Sequence, residues 1–275
     1  MSLRINTNVE AFNTHRQLVH SSDMMAKSME RLSSGSRINR AADDAAGLAI
    51  SEKMRGQITG LAQAQRNAQD GVSLVQTGEG ALNEVHSMLQ RVRELRVQYG
   101  NDTLNATDKT AIRDEVKQLQ TEIGAIKTNT KFNGTSLLNG AGTVNLQVGA
   151  NDGENISITT SDVTGGVGMA EVVASATTAT DAGFTALTLD DIDTAIQEVS
   201  TKRADFGSVQ NRLDHRLANL GSYQENLVSA ESRIRDVDMA EEMVKFTKSQ
   251  ILQQAGTSML SQANQAPQSV LSLLR

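Results

Sequence analysis

The 275-residue chain has only 3% aromatic residues, no tryptophan, one proline and no cysteine. Such a composition does not supply a thick globular core, but it suits the narrow Leu, Ile, Val, Met and Ala seam of a coiled coil, in a chain long enough for one or two domains. A formal charge of -6 with a pI near 5.3 gives no field to draw in nucleic acid or anionic lipid, and the missing cysteines exclude disulfide and thiolate chemistry.

The first segment carries Ile5, Val9, Phe12, Val19, Met25, Met29 and Leu32 at helical spacing, a thin stripe. It lacks the basic head, unbroken apolar run and cleavage site of a secretory signal, and no stretch of the chain approaches the ~20 apolar residues of a membrane span, so no membrane insertion is expected. Ser33 to Ser36 break the helix, and Asp43 or Asp44 is placed to cap the next one. From Ile50 through Met54, Ile58, Leu61, Ala68, Val72, Val75, Leu82, Val85, Leu89 and Val92 to Leu95, apolar residues recur at steps near 3.5, which predicts ~69 Å of helix. Gly100 is the expected left-handed end. Thr107 is the expected cap of a shorter helix that presents Ile112, Val116, Leu119, Ile123 and Ile126.

The character changes at Asn129. Asn133-Gly134 and Asn139-Gly140 are turn pairs, and Val144, Leu146 and Val148 alternate, as do Ile156 and Ile158 beyond Asp152-Gly153, so a β-hairpin is predicted there. Thr164 to Thr188, rich in Thr, Ala and Gly, reads as an exposed connection that tolerates insertion after Ala179 or accepts glycans on Ser/Thr. Thr188 with Asp191 forms a capping-box pattern. Beyond it, Ile192, Val199, Phe206, Leu213, Leu220, Leu227 and Ile234 hold a seven-residue repeat over ~64 Å of helix. Two rods of matching length near opposite ends of the chain predict a long antiparallel helical hairpin. The tail returns to a weak stripe of Met243, Phe246, Ile251, Ala255, Met259, Leu260 and Ala263, ending Val270, Leu271, Leu273, Leu274. Head and tail are too thinly apolar to be stable alone.

Chemistry is not evident in the sequence. His15, His20, His86 and His215 are scattered, with no His-Glu-x-x-His pair; Gly165, Gly166 and Gly168 lack the Lys-Ser/Thr of a phosphate loop; Asp190, Asp191 and Asp193 cap a helix start and lack the glycine and distal glutamate of a calcium loop. No catalytic, cofactor or metal residue is assigned.

The stretch from Leu32 through Ser33-Ser-Gly-Ser-Arg-Ile-Asn-Arg-Ala-Ala-Asp-Asp-Ala-Ala-Gly-Leu-Ala-Ile-Ser-Glu-Lys-Met-Arg to Gly56, with Asn67 to Leu82, closely resembles the N-terminal region of bacterial flagellin. Glu231 to Met243 and the ending Gln262 to Arg275 resemble its C-terminal region. The resemblance implies a mainly α fold of long antiparallel coiled-coil rods with a small β-hairpin region and no large outer domain. Its expected parts are an inner filament domain from 1–40 and 239–275, rods from 41–140 and 190–238, and a hairpin with a short variable connection from 141–189. It implies a non-enzymatic, extracellular subunit that polymerises into the flagellar filament for motility; a hook-filament junction protein is the alternative. The implied partners are further copies of the chain, the flagellar type III export apparatus, a C-terminal export chaperone, and the filament cap and hook-junction proteins. No cofactor is implied. Ile5, Val9, Phe12, Phe246, Ile251, Leu260, Val270 and Leu271 are the expected assembly residues, gaining order as subunits bury them. Gln90 to Leu95 resembles the family's patch for a vertebrate Toll-like receptor, with Arg91, Leu95 and Glu115 as candidate contacts.

Overall fold

The computed structural model describes residues 8–160, 162–177 and 187–273, with the backbone alone at 175–177 and 266–273. In chain order it holds α1 (Val9–Ser34), α2 (Ala45–Tyr99), α3 (Ala106–Asn129), β1 (Lys131–Phe132), β2 (Thr135–Ser136), β3 (Gly142–Gln147), β4 (Asn155–Thr160), a 3-10 turn at Val163–Gly165, α4 (Val167–Thr177), α5 (Leu189–Arg235) and α6 (Met239–Leu273). The chain divides into a terminal unit, Met1–Gly56 with Asn226–Arg275, and a middle unit, Gln57–Glu225.

In the middle unit α2 and α5 run antiparallel: Gln65 hydrogen-bonds Gln224, Glu79 pairs with Arg203, and Arg93 pairs with Asp193 at 2.6 Å. The heptad of α5 is the inner face, with Ile192, Val199, Phe206, Leu213 and Leu220 all buried. Opposite them α2 buries Leu61, Ala68, Val75, Leu82 and Leu89 at sevenfold spacing, and between these Ala64, Gly71, Gly78, Val85 and Val92. The two glycines are holes for knobs. A Cβ on Gly78 would lie 2.9 Å from Phe206, and one on Gly71 would lie 2.2 Å from Leu146 and 3.4 Å from Leu213. A pattern built on apolar side chains does not see these positions, because their contribution is the space they leave.

Asn133 (φ 47°) and Gly134 (φ 82°) both take left-handed angles between β1 and β2, as a tight hairpin turn requires. The predicted hairpin is present: β3 pairs antiparallel with β4, Val144 facing Ile158 and Leu146 facing Ile156, across a turn that contains Gly153 (φ 84°). Ile156, Ile158 and Thr160 are buried while their neighbours are exposed, the period of two that a sheet with one covered face dictates.

Four local expectations are corrected. The segment from Thr164 is not simply an exposed connection: α4 occupies Val167–Thr177, and Val163, Met169, Val172 and Leu187 are buried. Its first turn is capped from afar, since the Glu198 carboxylate of α5 accepts hydrogen bonds from the backbone N–H groups of Gly168 and Met169, so no local signal announces it. Ala179 lies outside the described residues. Asn105, rather than Thr107, caps α3 by accepting from the Asp108 N–H at 2.9 Å. Gly100 is not left-handed; Gly35 (φ 69°), closing α1, is. Ile50 is 48% exposed, because the adjacent Ser51 takes the inward position there. Asp44 caps α2 through the Gly47 N–H, and Thr188 and Asp191 exchange the predicted reciprocal bonds at the start of α5.

Candidate functional site

The terminal unit is built on the antiparallel pairing of α1 and α6. Along α1 the shielded positions are Ala11, Thr14, Leu18, Ser21, Met25, Ser28 and Leu32, alternating steps of three and four. Along α6 they are Glu242, Phe246, Ser249, Gln253, Gly256, Leu260 and Ala263, again a seven-residue repeat. Nine of these fourteen positions are hydroxyl, amide, carboxylate or small. Ser28 Oγ donates to Glu242 Oε1 at 2.7 Å, Ser21 Oγ donates to the Ser249 carbonyl at 3.2 Å, and Asn8 Nδ2 donates to the Ala263 carbonyl at 2.8 Å. A Cβ on Gly256 would sit 3.1 Å from Leu18, so the helices approach closely there. Glu242 is only 3% exposed, with Lys245 at 3.6 Å and Arg31 at 3.8 Å offsetting its charge.

Much of the apolar surface of head and tail points the other way. Phe12 is 72% exposed, Val9, Val19 and Met29 are exposed on α1, and Met243, Val244, Ile251, Leu252 and Met259 are exposed on α6, with Ile251 at 60%. Of the expected assembly residues, Val9, Phe12 and Ile251 thus lie outward and Phe246 and Leu260 lie half-buried in the unit's own seam. Ile5 and the side chains of Val270 and Leu271 fall outside the description. The predicted stripes caught part of the inner faces, Met25, Leu32, Phe246, Leu260 and Ala263, and missed the rest, because Thr14, Ser21, Ser28, Glu242, Ser249, Gln253 and Gly256 give no hydrophobic period.

Below the pair, the linker between α1 and α2 is fixed to the joint between α5 and α6. Ser36 forms a β-bridge with Asp236, the Val237 N–H donates to the Gly35 carbonyl, and Arg37 Nη2 donates to the Ile234 carbonyl at 2.6 Å. Asp43 accepts from the N–H groups of Asn39 and Arg40 and pairs with Lys27 at 2.7 Å; chiefly the Lys27 hydrogen bond, then that of Arg40, pull its carboxyl down to about 2. Asp238 caps α6 through the Ala240 and Glu241 N–H groups.

In the middle unit the Arg91 patch is a surface carried on a buried seam. Arg91 donates to Glu115 of α3 at 2.9 Å and to Glu94 at 3.1 Å, and these bonds, Glu115 first, raise its hold on its proton. Arg91, Glu94 and Glu115 are exposed. Leu95 is not: at 2% exposure it belongs to the core, so it is not available there as a surface contact. Less than one turn of helix apart, Arg93 and Arg96 hold α5 and its approach, the first through Asp193 and the second by donating to the Leu187 carbonyl. Among the described residues no group of His, Asp and Glu could hold a metal ion, and no helix is long and apolar enough to cross a membrane.

This arrangement offers contact surfaces rather than a reacting centre, and its likenesses are of the same kind. Residues 5–143 match the family described as the bacterial flagellin N-terminal helical region, and residues 189–274 match the bacterial flagellin C-terminal helical region. The chain is 53% identical to a flagellin of Halalkalibacterium halodurans over 272 residues, covering 98% of this chain and 99% of that one. It is 49% identical to a flagellin of Bacillus subtilis over 305 residues, covering 99% and 100%. A solved structure described as a flagellar hook-associated protein, from Vibrio parahaemolyticus, shares the helical fold at TM-score 0.58 and 15% identity, over 70% of this chain and 100% of that one.

Proposed function

The chain belongs to the bacterial flagellin family, and from that premise we propose how its two units serve a filament. It is an extracellular structural subunit that polymerises with copies of itself into the flagellar filament. The relatives that match it nearly end to end are named as flagellins, and nothing favours the hook-junction reading. The terminal unit is the part that assembly completes. The observation that carries this is the inverted allocation of side chains, with Ser21, Ser28, Glu242 and Ser249 inside and Phe12 and Ile251 outside. Burying a large apolar side chain stabilises by roughly 1.5–3 kcal/mol, whereas a buried hydrogen bond nets only about 1 kcal/mol. The outward stripes therefore hold most of the stabilisation available to α1 and α6, and neighbouring subunits release it by covering Val9, Phe12 and Ile251, together with Ile5, Val270 and Leu271. Folding of the terminal helices is coupled to assembly in this way.

Brief proteolysis tests it: the subunit should lose both ends and leave a stable core that no longer polymerises, and the filament should protect the same ends. Normal filaments from the trimmed core would overturn the assignment. The role is structural and needs no catalytic group. The export apparatus, a chaperone for the tail, the filament cap and the junction proteins complete the set of partners. For a Toll-like receptor, Arg91 and Glu115 are the exposed candidate contacts, and Leu95 belongs to the core.

A further inference from the structure

The chain's methionines are distributed unevenly over its surface. Met24, Met29, Met239, Met243 and Met259 are 36–55% exposed, and all five lie on α1 or α6. Elsewhere Met169 is fully buried, Met25, Met54 and Met88 are half-buried, and the exposed large apolar residues of the middle unit, Val97, Val167, Leu189 and Tyr223, include no methionine. The well-exposed methionines are thus confined, among the described residues, to α1 and α6, the helices that the proposed assembly completes. Thioethers are soft and adaptable in packing, and they are also the apolar side chains most readily turned polar by oxidants.

We propose that these five methionines form an oxidation-sensitive modification site of the free subunit, one that peroxides reach before assembly and that filament contacts then close. The inference rests on the assembly reading above. In each event the thioether sulfur attacks one peroxide oxygen, the O–O bond breaks, sulfur gains the oxygen as a sulfoxide, and the remaining oxygen leaves as water. Sulfur is oxidised and the peroxide reduced, so no other reactant is needed. A sulfoxide carries a strong hydrogen-bond acceptor into a face that offers the neighbouring subunit apolar stripes, where a polar group buried without a partner is costly. Oxidised subunits accordingly fail to add to a growing filament.

The test exposes the full-length subunit, and separately assembled filaments, to dilute hydrogen peroxide and reads each methionine by peptide mass spectrometry. In the free subunit these five should gain oxygen well ahead of Met169, and in the filament they should be protected. Seeded growth of the oxidised subunit should slow by roughly tenfold or more, and treatment with methionine sulfoxide reductases for both sulfoxide epimers should restore it. A variant carrying Met24→Leu, Met29→Leu, Met239→Leu, Met243→Leu and Met259→Leu keeps the volume and should grow at the same rate with or without peroxide. Reductase rescue provides the answer even if that variant folds poorly. Unchanged growth of a fully oxidised subunit, or slowed growth that neither reductase reverses, would overturn the inference and leave the filament reading intact. Untreated subunits that form no filament would overturn both.

Discussion

Two antiparallel helix pairs in this chain follow the same seven-residue arithmetic and use it oppositely. In the middle unit Phe206 and Leu213 press into space left by Gly78 and Gly71, and Leu61, Val75, Leu82 and Leu89 line the facing helix. In the terminal unit the inner positions mix Leu18, Met25, Leu32, Phe246 and Leu260, only half-buried, with Ser21, Ser28, Glu242, Ser249 and Gly256, and a second set of large apolar groups faces out. The first pair is a finished core. The second is left open, and on the proposed assembly a neighbouring subunit completes it. The difference shows that a coiled-coil repeat specifies which residues meet, while the residue types at those positions decide whether the chain is stable by itself or in company.

The largest expected effect comes from attacking the finished seam. Leu220 is 2% exposed in the α5 heptad, and Leu220→Asp would bury a carboxylate without a partner. We expect a loss of a few kcal/mol, about what the severe core mechanisms produce, read as a large fall in the thermal midpoint of the subunit. An unchanged midpoint would show that the two seams do not differ in the way argued.

Next comes the polar seam. Ser28→Ala removes the 2.7 Å hydrogen bond to the buried Glu242 carboxylate and should cost α1 and α6 about 1–3 kcal/mol. Circular dichroism should show lost helix, while the middle unit's main unfolding transition stays in place. Glu242→Gln keeps an acceptor for Ser28 and should be milder. Equal loss from both substitutions would mean that the charge, shared with Arg31 and Lys245, matters more than the hydroxyl contact.

Much of the middle unit was legible because its signals are local or periodic: the heptad of α5, the Asp152-Gly153 hairpin and the Thr188/Asp191 capping box each carry their structure in their own residues. What stayed hidden depends on residues far apart. The α4 helix is capped by Glu198, thirty positions on from Gly168, and the value of Gly71 and Gly78 exists only once Leu146 and Phe206 arrive. In the terminal unit the apolar pattern divides between the two faces, Met25, Leu32, Phe246, Leu260 and Ala263 inside and Val9, Phe12 and Ile251 outside, and the rest of the pairing face was hidden because hydroxyls and glycine give no hydrophobic period. At the Arg91 patch the apolar period that ends in Val92 and Leu95 already puts the leucine on the inner face, and its 2% exposure agrees with the period rather than with a surface contact.

A smaller effect is expected at the joint between α1 and α2, and it depends on pH. The Asp43 carboxyl is lowered from 3.8 to about 2 by its bond to Lys27 and then by the Arg40 N–H. A carboxyl lowered on folding adds stability that is fully present above its unfolded value and is lost as pH falls through the folded one. The contribution should therefore be complete above pH 4 and gone near pH 2, with Asp43→Asn flattening that part of the acid limb of the stability curve. An acid limb identical in the variant would place the loss at other carboxylates.

The smallest effect on the subunit should accompany the largest effect on assembly. Ile251 is 60% exposed on α6, so Ile251→Gln exchanges one solvent-facing side chain for another of good helix propensity. The subunit's thermal midpoint should move by no more than the change of about 0.5 kcal/mol usual for surface substitutions. On the proposed assembly the same position is covered in the filament, and a glutamine amide there loses the apolar burial and needs hydrogen-bond partners that exposed apolar side chains such as Val9 and Phe12 do not offer. Seeded growth should therefore slow or stop at subunit concentrations that sustain the wild type, with the critical concentration raised by roughly tenfold for each 1.4 kcal/mol withdrawn from the contact. The contrast with Leu220→Asp is the discriminating result. If Ile251→Gln lowered subunit stability as Leu220→Asp does, Ile251 would be a core residue. If it changed neither stability nor growth, the outward stripe on this part of α6 would not be the face that neighbouring subunits cover.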